Sequence, residues 1–296
     1  MSGAGRGEGR GLSFSIEIFP PKEPDARASL AERLGELAPI APGFVSVTYG
    51  AGGTTRDRTL EMVARVVNDT PLEVAAHLTC VGASTGEVDD LVGCYRDGGV
   101  GRIVALRGDP PGGLNVPYHP HPEGYQRTAD LVAAIRRRGD FDVSVAAYPE
   151  KHPQSPDFDA DLDTLEAKID AGAARALTQF FFDNAMFLTF LERVRARGIS
   201  APIVPGILPV VNFRQVSAFA ASCGATVPDW LAERFAGLDD DPAARTEIGV
   251  DIAARQIAGL AAAGQQSFHI YCLNRPEIVR ALWDRLGAGA RATAAA

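Results

Sequence analysis

The chain has 296 residues, 46% hydrophobic and 22% charged, with a formal net charge of −8. That length suits one large domain, and the composition is that of a soluble globular protein. The acidic balance excludes a general nucleic-acid binder, which relies on Lys and Arg against phosphate, yet leaves room for a local positive field around a small anion.

The first segment, 1–11, is rich in Gly and Arg, lacks the apolar run of a signal peptide, and is expected to be a disordered tail. No stretch has the apolar length needed to span a bilayer, so no membrane partner and a cytoplasmic location are expected. β-rich runs then recur at Ser13–Phe19, Phe44–Tyr49, Val74–Thr79, Arg102–Arg107, Asp142–Tyr148, Ala176–Phe182, Pro202–Leu208 and Ser267–Leu273. Between them, Leu60–Val67, Val88–Asp97 and Leu162–Ala171 carry apolar residues at helical spacing. Strands alternating with helices predict an α/β protein with a parallel sheet, and eight such units predict a closed (β/α)8 (TIM) barrel. The longest connection, between the seventh and eighth runs, holds three further helical patterns, Phe213–Cys223, Asp229–Phe235 and Arg245–Gly264, so extra helices are expected there. No linker divides the chain: 12–287 reads as a single catalytic barrel and 288–296 as a frayed, small-residue tail.

Catalytic groups of such a barrel sit at the carboxyl ends of its strands. Those ends carry Glu17, then Thr48 to Gly53, His77 and Thr79, Arg107-Gly108-Asp109, Tyr148 to His152, Gln179, and Asn274-Arg275. An acid, an Arg-Gly-Asp turn, an amide and a late Arg together read as an active-site rim. Glu17 interrupts the apolar run Phe14–Phe19, where a carboxylate is costly unless paired or functional. By alternation it shares a face with Ser13, Ser15 and Phe19, and burial is expected to raise its pKa and hold the proton a general acid needs. A structural glutamate bonded to a lysine or to backbone is the equal alternative. Asp109 reads as well as a turn aspartate, and Arg107 as well as a structural ion-pair partner or a planar donor fork for a phosphate or ring carbonyl. The Gly50–Gly53 loop is no GxGxxG, and a simple turn explains it. His77 reads by itself as a core histidine, the Phe180–Phe182 run as core with one ring near a cleft, and Asp239–Asp241 as a loop and helix cap. The four cysteines are widely spaced and form no CxxC pair, and the histidines do not cluster, so neither a disulfide frame nor a metal site is expected.

Taken together, the words FSIEIFPPK at 14–22, FVSVTYGAGGTTRDRT at 44–59, HLTC at 77–80, IVALRGDPP at 103–111, VAAYPEKHP at 145–153, TQFFFD at 178–183, PGILPVVNF at 205–213 and FHIYCLNR at 268–275 resemble the methylenetetrahydrofolate reductase family. They occur in family order over about 12–287, and the chain resembles the short bacterial form, without a regulatory domain that binds S-adenosylmethionine. The resemblance implies an FAD enzyme of one-carbon and methionine metabolism with ping-pong kinetics. NADH or NADPH reduces the flavin and leaves; methylenetetrahydrofolate then takes the hydride at the same face. It also implies an association of several copies.

By family position Glu17 is the general acid, and Asp109 lies beside flavin and pterin. Gln179, Gln215, Phe219 and Arg275 fall on substrate contacts and Thr48 on a nicotinamide contact. Tyr49, Ala51, His77, Arg107, Gly108, Thr128, Tyr148, His152, Ser155, Asp161, Thr164 and Lys168 fall on FAD-binding positions. Lys168, otherwise a surface helix lysine, would then supply positive charge to a pyrophosphate. The stretch Gly112–Arg127 is longer and richer in Pro and His than the family pattern. Two rival readings remain at this level. One is a barrel enzyme acting on a pterin without flavin, which would purify colourless. The other is a non-catalytic folate-binding partner, which would have no physical reason to keep a buried acid.

Overall fold

The computed structural model describes residues 11–49, 56–114 and 116–293, with side chains described as far as 287. Each β-rich run forms a strand: β1 (Ser13–Ile18), β2 (Val45–Val47), β3 (Val74–Thr79), β4 (Arg102–Leu106), β5 (Asp142–Ala147), β6 (Arg175–Phe180), β7 (Ile203–Ile207) and β8 (Ser267–Tyr271). They pair in chain order, all parallel, and β8 returns to β1, closing the barrel. The (β/α)8 expectation is met.

The helices are α1 (Pro24–Gly35), α2 (Arg56–Asp69), α3 (Thr85–Asp97), α4 (Thr128–Arg138), α5 (Phe158–Asp170), α6 (Asn184–Ala196), α7 (Phe213–Cys223), α8 (Asp229–Phe235), α9 (Pro242–Ala262) and α10 (Pro276–Thr293). Three of them, α7 to α9, fill the β7–β8 connection as the sequence predicts. The expected boundary at 287 falls inside α10. Several turns that lead into a helix end on a side chain that accepts from the first turn: Ser84, Asp157, Asp183 and Asn212 after strands, and Asp241 after α8. Each cap satisfies an amide that the helix itself leaves unpaired. Asp183 is thereby occupied in structure.

Alternation along the strands divides the apolar side chains into two bodies. Residues such as Ile16, Val45, Ala76, Ile103, Val143 and Ala176 pack outward against the helices. Phe44, Ala75, Val104, Leu177 and Val204 fill the lumen, with Leu106 against them. At the amino-terminal face, Arg175 grips Asp142 with two hydrogen bonds, of 2.7 and 2.8 Å. The lower half of the barrel is therefore sealed, and the polar side chains above the plug face the carboxyl-end mouth. Among the described residues, no helix is long and apolar enough to cross a membrane.

The longest helix, α9, presses against the β7–α7 connection at Gly249, where a Cβ would land on the Val210 carbonyl. Gly249→Ala is expected to destabilise the fold by about 2–4 kcal/mol, because backbone on both sides must move. Urea unfolding checks this; an unchanged midpoint would show that the helix can slide.

Candidate active site

Glu17 points into the barrel and meets two imidazoles. Its Oε2 lies 3.4 Å from His77 Nε2 on β3 and 3.4 Å from His269 Nε2 on β8. The far nitrogen of His269, Nδ1, is 2.7 Å from Ser15 Oγ, two residues before Glu17 on β1. Register explains this closeness, since Ser15 pairs with His269 across the β1–β8 seam. A chain hydroxyl–imidazole–carboxyl thus runs toward the mouth, and both histidines are buried.

Burial is the largest influence on the Glu17 carboxyl and works to raise its pKa. The hydrogen bond with His269 and the charges of His77 and His269 outweigh it, so the group lies below the usual carboxylate value. The expectation that burial alone would keep Glu17 protonated is corrected here. Its partners are imidazoles, which the sequence brought from strands far away in the chain. Burial also pushes the His77 imidazole down, so its charge helps Glu17 only in acid.

Beside this cluster, at the ends of β3, β4 and β5, a cavity of about 300 Å³ opens. Its wall carries Tyr49, Arg107, Gly108, Asp109, Thr128, Tyr148, His152, Ser155, Asp161, Thr164 and Lys168, all positions expected for a cofactor. Three buried polar atoms on the same wall have no hydrogen-bond partner among the described residues: Thr79 Oγ1, Arg107 Nη2 and Gln154 Oε1. An unpaired buried polar atom costs about 1–3 kcal/mol, so three facing one hollow fit a polar ligand. A larger hollow, of about 730 Å³, lies outside the barrel among α6, α8 and α9. It collects none of the residues expected at the site.

The pocket's own network orders its charges. Asp161 accepts from Ser155 Oγ at 2.8 Å and from the His152 amide at 3.2 Å. His152 and Tyr148 meet edge to face at 4.6 Å. Lys168 is buried, donates to the Ala146 carbonyl, and is pushed down by desolvation to about 8, Asp161 opposing. Burial and then the Arg107 charge lower His152. Gly108 has φ of +82° and no room for a Cβ beside Val81 and Thr79, so only glycine makes this turn.

Asp109 is exposed at the rim, with Oδ1 3.8 Å from Arg107 Nη2. Gln179 accepts from the Phe180 amide and shares a small hollow with Tyr148, Phe180 and Cys223. Tyr148 lines both that hollow and the main pocket. Tyr271 links them to the acid: its hydroxyl donates to the Thr178 carbonyl, and the Glu17 charge, after burial, pushes its phenol up. Phe219 is exposed on α7 and stacks on Phe180 at 5.4 Å; Gln215 is exposed one turn earlier. Arg275 is exposed beyond β8 and has no ion pair among the described residues. Thr48 follows β2, its amide bonded to the Ile18 carbonyl. His77 faces Glu17 and is not on the pocket wall. Ala51 lies outside the described residues.

Sequence reasoning gave no role to Ser15, His269, Tyr271 or Gln154. His269 had one available signal: like Glu17, it is a polar group at an inward position of an apolar strand. Phe180 reaches the mouth through a bulge, for the β6–β7 register slips between Leu177 and Phe180.

A sealed barrel with an acid–imidazole cluster and a polar pocket at its carboxyl end defines a (β/α)8 barrel enzyme of the class that holds small-molecule ligands at the strand ends. Comparison with known proteins narrows the class. The methylenetetrahydrofolate reductase model matches residues 7–287. A relative from Pectobacterium carotovorum subsp. carotovorum, 5,10-methylenetetrahydrofolate reductase, is 45% identical over 93% of this chain and 90% of its own. The Escherichia coli (strain K12) protein of the same name is 43% identical, covering 93% and 91%. An Arabidopsis thaliana relative, methylenetetrahydrofolate reductase (NADH) 1, is 37% identical over 88% of this chain but only 46% of its own. A solved structure from Clostridium thermocellum, described as binding two copies of 5-methyl-5,6,7,8-tetrahydrofolic acid, shares the fold with a TM-score of 0.63 at 13% identity, covering 92% and 94%. The chain belongs to the methylenetetrahydrofolate reductase family.

Proposed function

We propose that the protein reduces 5,10-methylenetetrahydrofolate to 5-methyltetrahydrofolate with NADH or NADPH, using FAD held in the strand-end pocket and working by ping-pong. The observation that carries this reading is the placement of Glu17 and its imidazoles beside a pocket with unpaired buried polar atoms. A flavin supplies a hydride that can be stored between the visits of two substrates. The remainder is the work of this chain's own residues.

Lys168 and Arg107 would hold the anionic part of FAD, with Asp161 holding His152 and Ser155 in place. The substrate's five-membered ring must open to a cation before it accepts hydride, and the departing nitrogen needs a proton. Glu17 delivers that proton. The carboxyl rests below its ordinary value in the ligand-free protein, because its imidazole neighbours favour the charged form, so substrate must first raise its hold on the proton. Covering the mouth with substrate removes water and favours its transfer through Glu17. Asp109, at the rim, places a negative charge where the cation develops. Phe219, stacked on Phe180 and exposed, presents a ring face to either visiting ligand, and Gln179, Gln215 and Arg275 supply polar contacts around it.

The test is an absorption spectrum of the pure protein, followed by anaerobic addition of NADH, then NADPH, then folate. A yellow protein bleached by nicotinamide and re-oxidised by methylenetetrahydrofolate is expected; a colourless protein that takes up no FAD sinks the reading. Asp109→Asn is expected to slow re-oxidation by folate about tenfold or more, with less change in FAD loading. Rapid-mixing rates for the two half-reactions check this, and equal rates would remove Asp109 from the chemistry.

A further inference from the structure

We propose that Tyr118 is a positioning residue for Arg107, covering one face of its guanidinium so that the free edge stays turned to the cofactor pocket. The proposal rests on the flavin reading above. The Cζ of Arg107 lies 4.5 Å from the centre of the Tyr118 ring. Its Nε donates to its own neighbour, the Gly108 carbonyl, at 3.2 Å. One face and one edge are thereby used, and Nη2 is left buried without a hydrogen-bond partner among the described residues. Among the described residues, its ion-pair partner is Asp109 Oδ1, at 3.8 Å. Tyr118 itself is not on the pocket wall, so what it does for a ligand it does through Arg107.

The segment that delivers Tyr118 is the stretch that departs from the family pattern, and it is anchored. Gln154, also on the pocket wall, donates from Nε2 to the carbonyls of Leu114 and Val116, at 2.8 Å each. A guanidinium has several rotatable bonds to freeze when it grips a ligand, and a ring stacked on it removes part of that cost beforehand. Without the ring, Arg107 is free to fold onto Asp109, which would withdraw the donor and neutralise the rim carboxylate together. The Tyr118 hydroxyl is buried with the Cys80 thiol as its hydrogen-bonding neighbour, and the guanidinium lies over the ring, so the ring is the working part.

The experiment is a double-mutant cycle on FAD affinity, titrating the full-length protein freed of flavin and reading fluorescence quenching. Tyr118→Leu is expected to weaken FAD by about tenfold, as a partly desolvated cation–π contact implies. Tyr118→Phe should stay within about twofold of the parent, since it keeps the ring. In an Arg107→Gln background, Tyr118→Leu should change affinity by less than about twofold, because the residue it acts through is gone. The same loss in both backgrounds, or no loss in the parent, overturns the proposal. A second readout needs no ligand: the Nε–H proton resonance of Arg107, identified by its disappearance in Arg107→Gln, should be shifted upfield by the ring in the parent and in Tyr118→Phe but not in Tyr118→Leu. If the parent binds no FAD, the flavin reading fails by itself. The resonance then decides the positioning claim, and an unshifted parent signal sinks it.

Discussion

Glu17→Gln is expected to abolish folate reduction while leaving FAD bound and reducible by nicotinamide. The substitution keeps the side chain's shape and removes the group that passes the proton, so the folate half-reaction should fall by about 10²–10⁴-fold. Nicotinamide oxidation needs no proton at that position and should proceed at the parent rate. Rapid mixing under anaerobic conditions separates the two. The folate half-reaction of the parent should also slow as pH rises through the titration of Glu17, and the variant should lose that dependence. Turnover of folate by Glu17→Gln at the parent rate would return Glu17 to a structural role.

Replacement of Lys168 by Met should separate binding from stability. The lysine is 8% exposed, and desolvation holds it at about 8 against an ordinary value of 10.5. Between those values the unfolded chain holds more protons than the folded one, so stability of the parent rises as pH climbs from about 8. Below that value the full penalty of a buried cation is present. Lys168→Met should therefore stabilise the ligand-free fold at neutral pH by about 1–3 kcal/mol, reduced by the Ala146 carbonyl it leaves unpaired, and should flatten the alkaline rise. The same change should weaken FAD by about ten- to a hundredfold, the worth of a hydrogen bond to a charged group. Parent affinity should fall as pH rises above about 8, where the unliganded lysine loses its charge. Urea unfolding at neutral and alkaline pH, with FAD titrations alongside, reads both effects. A variant less stable at neutral pH with unchanged FAD affinity would place Lys168 among ordinary structural residues.

How far the site was legible differs from residue to residue. Glu17 announced itself, because a carboxylate inside an apolar run must be paired or used, and period-two alternation put it on the face of Ser15. Arg107, Gly108 and Tyr148 were visible as polar or special residues at strand ends, and the cavity gathers them. The grouping of Asp161, Thr164 and Lys168 with them was not legible from the residues. A helix lysine looks like any surface lysine until the angle of α5 buries it. The pKa of Glu17 was misread in direction because burial was weighed without partners that arrive from β3 and β8.

The sequence by itself determined the barrel. Eight apolar runs alternating with helical periodicity leave few other ways to bury both faces of a parallel sheet, and the helices of the β7–β8 connection followed from their own spacing. Only the tertiary structure decided which side chains share a proton and which share a pocket. Closing the sheet joins β1 to β8, setting Ser15 and Glu17 against His269 from the far end of the chain. The bulge in β6 then turns Phe180 toward Phe219. Periodicity reports the face on which a residue lies, whereas contact across a closed barrel depends on register and shear, which short-range pattern does not encode.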